Sequence, residues 1–210
     1  MMEGEDLIRL CREIDLSGLS QFGEGNASIR AEDGMLITPT LNDYSQVTAE
    51  ELVSMDLAGE RIEGPRPPSS EWKLHSRIYQ QRPKARCIIH AHSEYASALS
   101  VAEKPIPVIL EEMVIFLGGG VDVSPFASAG TWELGDAALS AMGDRNAALM
   151  ANHGMVAAGR DIASALKGAK LTEKMAKVLL AADAAGGANA VPDEAIAPLL
   201  GKFKELFSIV

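Results

Sequence analysis

The chain has 210 residues, 47% of them hydrophobic and 23% charged, which is room for one substantial domain, or two small ones at a stretch, and argues against disorder. Its 19 basic and 29 acidic residues leave a formal charge of −10, which argues against a nucleic-acid or anionic-membrane binder, since both need a basic face. The charge does not exclude a small anionic substrate, because a few local groups suffice to hold a phosphate. Cys11 and Cys87 have neither metal nor redox spacing, the start MMEGEDLIRL is acidic where a signal peptide is basic, and Glu111 and Glu112 interrupt the nearest apolar run. A soluble, cytoplasmic protein, with residues 1–210 forming a single domain, is the expectation.

Taken in chain order, Leu7, Leu10, Cys11 and Ile14 share a helical face, with Gly18 placed to end that helix. Asn26 to Ile37 alternates around Asp33-Gly34 and predicts a hairpin. Thr48 with Glu51 is a capping-box pattern that predicts a short helix. Gly64-Pro65-Arg66-Pro67-Pro68 must be a loop, because serial prolines fix φ and remove amide donors. A helix over 70–81 stopped by Pro83, a buried strand over 87–92, a glycine break at 118–120, a helix over 131–142, a strand over 147–151 and a long helix over 161–182 follow. The stretch from Ala184 to Pro192 leads to a docked C-terminal helix. Strands interleaved with helices predict a layered α/β domain with strand direction left open. Phe22, Phe116 and Phe126 read as core or site-wall residues.

Four histidines occur: His75, His90, His92 and His153. His90 and His92 stand two apart on the predicted strand, so both imidazoles point to one face and can grip one cation. The competing reading is an incidental surface pair, but two unpaired imidazoles after a buried apolar run are costly. His153 precedes Gly154 at the end of another predicted strand; a third imidazole there completes a three-histidine site with an open coordination position. Glu71 and His75 share a helix face and read either as two ligands or as a solvent-facing pair, the latter taken for His75. Glu71 follows Ser69-Ser70 at a helix start, where hydroxyls and free amides form an anion site. A carboxylate there needs a nearby cation unless it merely complements the helix dipole. Asn26 with Ser28, and Thr38-Pro39-Thr40, read by themselves as turn or cap residues. The run Gly118–Gly120 lacks the Lys-Ser/Thr of a phosphate loop and reads as a turn.

Gly25-Asn26-Ala27-Ser28-Ile29-Arg30, Leu36-Ile37-Thr38-Pro39-Thr40, Pro68-Ser69-Ser70-Glu71-Trp72, His90-Ala91-His92 and Asn152-His153-Gly154 occur in that order. In this set the chain resembles the class II aldolase/adducin-like family over about residues 5 to 182. The resemblance implies a three-layer α/β/α sandwich with a central, mainly antiparallel sheet, and a C4 homotetramer with active sites at subunit interfaces. It implies Zn2+, with Mn2+, Co2+ or Fe2+ as alternatives, held by His90, His92 and His153. Glu71 would be the catalytic base and, before substrate arrives, a further ligand. It implies phosphate binding by Asn26, Thr40, Ser69 and Ser70. The implied reaction is reversible cleavage of a ketose 1-phosphate, such as L-fuculose 1-phosphate, to dihydroxyacetone phosphate and an aldehyde, with no nucleic-acid or membrane partner.

Two departures stand out. Leu41 follows the TPT turn where the family's aldolases have glycine, and leucine resists the conformation needed there. No tyrosine occupies the segment Ile109-Leu110-Glu111-Glu112-Met113, where a neighbouring subunit's phenol is expected as proton donor; Glu111 or Glu112 takes its place as acid or base, or both are solvated carboxylates at a strand end. The alternatives on the same fold are a methylthioribulose-1-phosphate dehydratase or another sugar-phosphate lyase or decarboxylase. A non-catalytic adducin-like scaffold is the reading from another class.

Overall fold

The computed structural model describes residues 2–21, 23–41 and 43–210, so Phe22 lies outside the described residues. Among these residues an eight-stranded sheet runs in the order β4-β3-β2-β1-β5-β8-β7-β6. Its strands are β1 (Asn26–Ala31), β2 (Gly34–Ile37), β3 (Val53–Met55), β4 (Arg61–Glu63), β5 (Cys87–Ala91), β6 (Val123–Ser124), β7 (Ala147–Met150) and β8 (Gly154–Gly159). All neighbours pair antiparallel except β6 with β7. The helices are α1 (Met2–Leu16), α2 (Trp72–Gln81), α3 (Glu94–Val101), α4 (Glu111–Leu117), α5 (Trp132–Met142), α6 (Ile162–Ala184) and α7 (Asp193–Leu206). No described helix is long and apolar enough to cross a membrane.

Strand alternation sorts the side chains into two cores. Ala27, Ile29, Cys87, Ile89, Ala91, Met155 and Ala157 meet α1, α3, α4 and α6 on one face. Met35, Ile37, Ile88, Val156 and Ala158 meet α2 and α5 on the other. The result is the α/β/α sandwich expected, with a sheet that is antiparallel but for one parallel edge pair. Ile88 is fully buried at the centre of the α2 face, and truncating such a side chain to alanine costs about 2–5 kcal/mol. The same alternation turns Asn26, Ser28 and His90 towards α2, and Asn26 stands directly opposite His90 in the β1–β5 register.

Most boundaries match the sequence reading to within two residues. The hairpin pairs Ala31 with Gly34, so its tip is Glu32-Asp33 rather than Asp33-Gly34. Glu51 caps the amide of Thr48, but the turn it closes is a single 3-10 turn, Ala49–Glu51. The first residue of α2 is Trp72, because Glu71 occupies the N-cap position. β5 stops at Ala91, one residue short of His92. Phe116 packs on the first core and edge-on to Phe207, whereas Phe126 is exposed and belongs to no core. After the glycines at 186 and 187, α7 packs on α4 and buries Phe203, and Ile209 returns to the α2-side core.

Candidate metal centre

The end of β5, the start of α2 and the β7–β8 turn bring four side chains to one point. His90 projects from the end of buried β5, His92 follows just beyond it, Glu71 stands at the N-cap position of α2, and His153 sits in the tight turn joining β7 to β8. The turn needs unusual backbone: Asn152 has φ +56° and Gly154 φ +151°. A Cβ on Gly154 would stand 2.5 Å from the carbonyl oxygen of Ala91 and 3.0 Å from Cδ2 of His92, so only glycine lets the turn close onto the end of β5. Gly25 does the same from the β1 side, where a Cβ would meet the His90 carbonyl oxygen at 2.4 Å.

One potential ligand atom from each of the four residues lies within 4.8 Å of every other. The imidazoles of His90, His92 and His153 stand 4.7 to 5.0 Å apart between centroids, each steeply inclined to the others. His90 Nδ1 donates to the carbonyl of Met155 at 2.8 Å, which fixes the ring and turns Nε2 into the cluster. There Nε2 lies 2.8 Å from Glu71 Oε2 and 2.9 Å from His92 Nε2, and His153 Nε2 lies 3.1 Å from Glu71 Oε1. Two imidazole nitrogens cannot face each other with lone pairs on both, so a proton or a cation must lie between them. Glu71 Oε1 is buried without a well-aligned hydrogen bond. Three nitrogen donors, one carboxylate and an acceptor atom left over fit a divalent cation of the zinc type.

The charges respond as such a pocket demands. Burial opposes ionisation of Glu71, but the His90 and His153 rings outweigh it and hold the carboxyl far below its usual range. Burial likewise opposes protonation of His90, and the Glu71 carboxylate more than offsets it, leaving His90 above its ordinary value. His92 is pushed down to about 4 by burial and then by the neighbouring imidazoles.

His75 is corrected by the structure: it is fully buried, not solvent-facing, and it is not in the ligand cluster. Its Nε2 donates to Asn26 Oδ1 at 2.5 Å, its Nδ1 accepts from Ser28 Oγ at 2.7 Å, and the Tyr79 hydroxyl lies 3.0 Å from that same Oγ. Asn26 Nδ2 in turn donates to Glu71 Oε2 at 3.1 Å. The signal for this network was present in α2, where Leu74, Ile78 and Tyr79 are all buried and His75 falls inside their stripe. Ser28, read as a turn residue, is the fully buried pivot of the network.

The residues expected around phosphate gather at the head of α2. The segments 38–40 and 67–69 are stitched by Thr40 N to Pro67 O at 3.1 Å and by Ser69 N to Thr38 O at 3.0 Å. Ser69 Oγ accepts from the amide of Glu71 at 3.2 Å, Ser70 is exposed beside it, and Asn26 reaches the same carboxylate from β1. Leucine is no bar at the next position, for Leu41 adopts φ +50°. Glu111 and Glu112 are not brought to the cluster within this chain. They open α4 rather than end a strand, and the Glu112 carboxylate meets Lys174 of α6 at 2.7 Å.

The family model for the class II aldolase and adducin N-terminal domain matches residues 5–180. The chain belongs to that family. Among its class II aldolase relatives, the chain is 37% identical over 201 residues to an L-fuculose phosphate aldolase of Escherichia coli (strain K12), covering 94% of this chain and 92% of the relative. It is 34% identical over 198 residues to a 5-methylthioribulose-1-phosphate/5-deoxyribulose-1-phosphate aldolase of Rhodospirillum rubrum, covering 94% and 89%. A solved structure of an L-fuculose 1-phosphate aldolase superposes with a TM-score of 0.92 at 33% identity, covering 97% of each chain. Class II aldolases are metal-dependent lyases, and the Glu71, His90, His92 and His153 cluster is where this class II aldolase can hold its ion.

Proposed function

We propose that the protein is a zinc-dependent aldolase that reversibly cleaves a ketose 1-phosphate to dihydroxyacetone phosphate and a short aldehyde, with L-fuculose 1-phosphate or a 5-deoxy analogue as substrate. The observation that carries the reading is the position of Glu71: its carboxylate touches His90, His153 and Asn26, and the residue itself stands at the N-cap position of the helix that begins beside Ser69-Ser70. A base and a phosphate site separated by two residues suit a substrate whose reacting carbon lies close to its phosphoester. When bound by His90, His92 and His153, the cation supplies Lewis-acid stabilisation of the negative charge that develops beside a carbonyl on deprotonation.

The chain's own groups do the rest. Asn26, Thr40, Ser69 and Ser70 hold the phosphate and so fix C3 of dihydroxyacetone phosphate against Glu71. Glu71 accepts the C3 proton in the synthetic direction and returns it after cleavage. Asn26 keeps the carboxylate aimed while it does so. In a homotetramer, Glu111 or Glu112 of a neighbouring copy supplies the acid at the aldehyde oxygen. Replacing each by Gln should slow turnover for one of the two, and wild-type rates in both would remove them from the mechanism.

The test is independent of the aldehyde. Zinc-loaded protein incubated with dihydroxyacetone phosphate in deuterium oxide should exchange one C3 proton, read by NMR, whereas Glu71→Gln should abolish exchange with metal content retained. A screen of lactaldehyde against acetaldehyde and methylthioacetaldehyde then separates the fuculose substrate from the methylthio- and deoxyribulose substrates. No exchange from metal-replete protein that binds phosphate would turn the reading to the dehydratase.

A further inference from the structure

Leu41 occupies a left-handed backbone conformation at φ +50°, which costs a non-glycine residue about 1 kcal/mol or more. Its side chain is 90% exposed, so no burial offsets the strain. What does hold it is a guanidinium. Arg66 Nη2 donates to the carbonyl of Thr40 at 2.9 Å and to the carbonyl of Leu41 at 3.1 Å. Arg66 Nη1 pairs with Glu51 Oε1 at 3.0 Å, and the other oxygen of Glu51 accepts from Thr48 N at 3.0 Å. Arg66 itself stands between Pro65 and Pro67, in a loop tied to the same turn through Thr40 N and Pro67 O.

The consequence follows from peptide planarity. With the Thr40 carbonyl drawn to Arg66, the N–H of the same trans peptide unit, that of Leu41, must point the opposite way. That leaves the Leu41 amide on the side of the turn away from the guanidinium, where a backbone N–H can receive an anion. We propose that Arg66, seated on Glu51, is a positioning residue that holds Leu41 in the left-handed conformation and so presents its backbone amide to the substrate phosphate. The inference rests on the sugar-phosphate reading above. It also accounts for leucine at a position that otherwise calls for glycine: the arginine clamp replaces the conformational freedom that the side chain removes.

The experiment is calorimetric titration of the metal-loaded full chain with dihydroxyacetone phosphate. Loss of the clamp in R66A should weaken binding about tenfold, the equivalent of the strain it offsets. The double variant R66A/L41G should return to within about threefold of wild type, because glycine needs no clamp. In the exchange assay the R66A defect should lie in KM with kcat nearly unchanged. Glu51→Gln keeps the Arg66 charge and removes a negative one; it should weaken binding by loosening the clamp. Tighter binding in Glu51→Gln, or no rescue by L41G, would make Arg66 a plain electrostatic attractor or direct ligand and overturn the positioning role. Wild-type affinity in R66A overturns the clamp alone. A wild-type protein that binds no dihydroxyacetone phosphate overturns the sugar-phosphate reading and the clamp with it.

Discussion

His90 and His75 lie on the same face of the sheet, both without solvent exposure, and they are pushed in opposite directions. His90 faces the Glu71 carboxylate and is held above its ordinary pKa despite its burial. His75 faces the neutral groups of Asn26, Ser28 and Tyr79, and burial followed by the charge of His90 pushes it down to about 3. Burial alone therefore does not decide what a histidine does in this fold; the neighbour one bond away does. The ring beside a carboxylate becomes part of a site for positive charge, and the ring among neutral donors and acceptors becomes a fixed neutral strut behind it.

The largest effects should come from the charged side of that pair. His90→Ala should release the metal and lower turnover by about a thousandfold or more, since several kcal/mol of charge stabilisation go with the ion; metal analysis beside the exchange assay checks both. His75→Phe should leave the metal bound. It strands Asn26 Oδ1 in the core and leaves the Ser28 hydroxyl with Tyr79 as its side-chain partner, costing about 1–3 kcal/mol of stability, and lowers activity about 10- to 100-fold through a misaimed Asn26. Equal metal loss in the two variants would erase the distinction between them.

Acid should separate them further. His75 stays neutral in the folded apoprotein down to about pH 3, while the unfolded chain protonates it near 6.5. The unfolded state thus binds the extra proton between those values, so the stability that neutral His75 confers is complete above about pH 6.5 and is lost as pH falls. His75→Phe should flatten that decline by up to about 1.4 kcal/mol per pH unit, measured by denaturant unfolding of metal-free protein. The smallest change is Ser28→Ala, which removes one hydroxyl between His75 and Tyr79. It should cost about 1 kcal/mol, seen as a melting temperature lowered by a few degrees, with metal content unaltered.

Much of this is legible in the sequence. The run 87–91 alternates so that Cys87, Ile89 and Ala91 go one way and Ile88 and His90 the other, and the sheet honours that division, with His92 just past the strand end. The spacing of His90 and His92 marks a candidate cation pair by itself, whereas His153, Glu71, Ser69 and Ser70 gain their expected roles from the ordered set of motifs that carries the family resemblance. What escaped was long-range. Nothing near His75 in sequence reveals that Asn26 and Ser28 of β1 meet it, since which strands α2 packs on is set by the fold as a whole. Arg66 reads as one residue in a proline loop until Leu41 and Glu51 are placed beside it. Glu111-Glu112 was ambiguous because a short apolar segment ending in two carboxylates suits a strand end and a helix start alike.

The chain has two tryptophans, Trp72 and Trp132, and they stand edge to face with centroids 5.2 Å apart. Trp72 is the residue after Glu71, and Trp132 follows the loop whose Gly130 rests against the carbonyl of Ser70. The protein's entire indole emission therefore originates beside Glu71 and the serine pair. Metal loading or phosphate binding that shifts the head of α2 is reported optically by the native chain, with no label and no engineered probe.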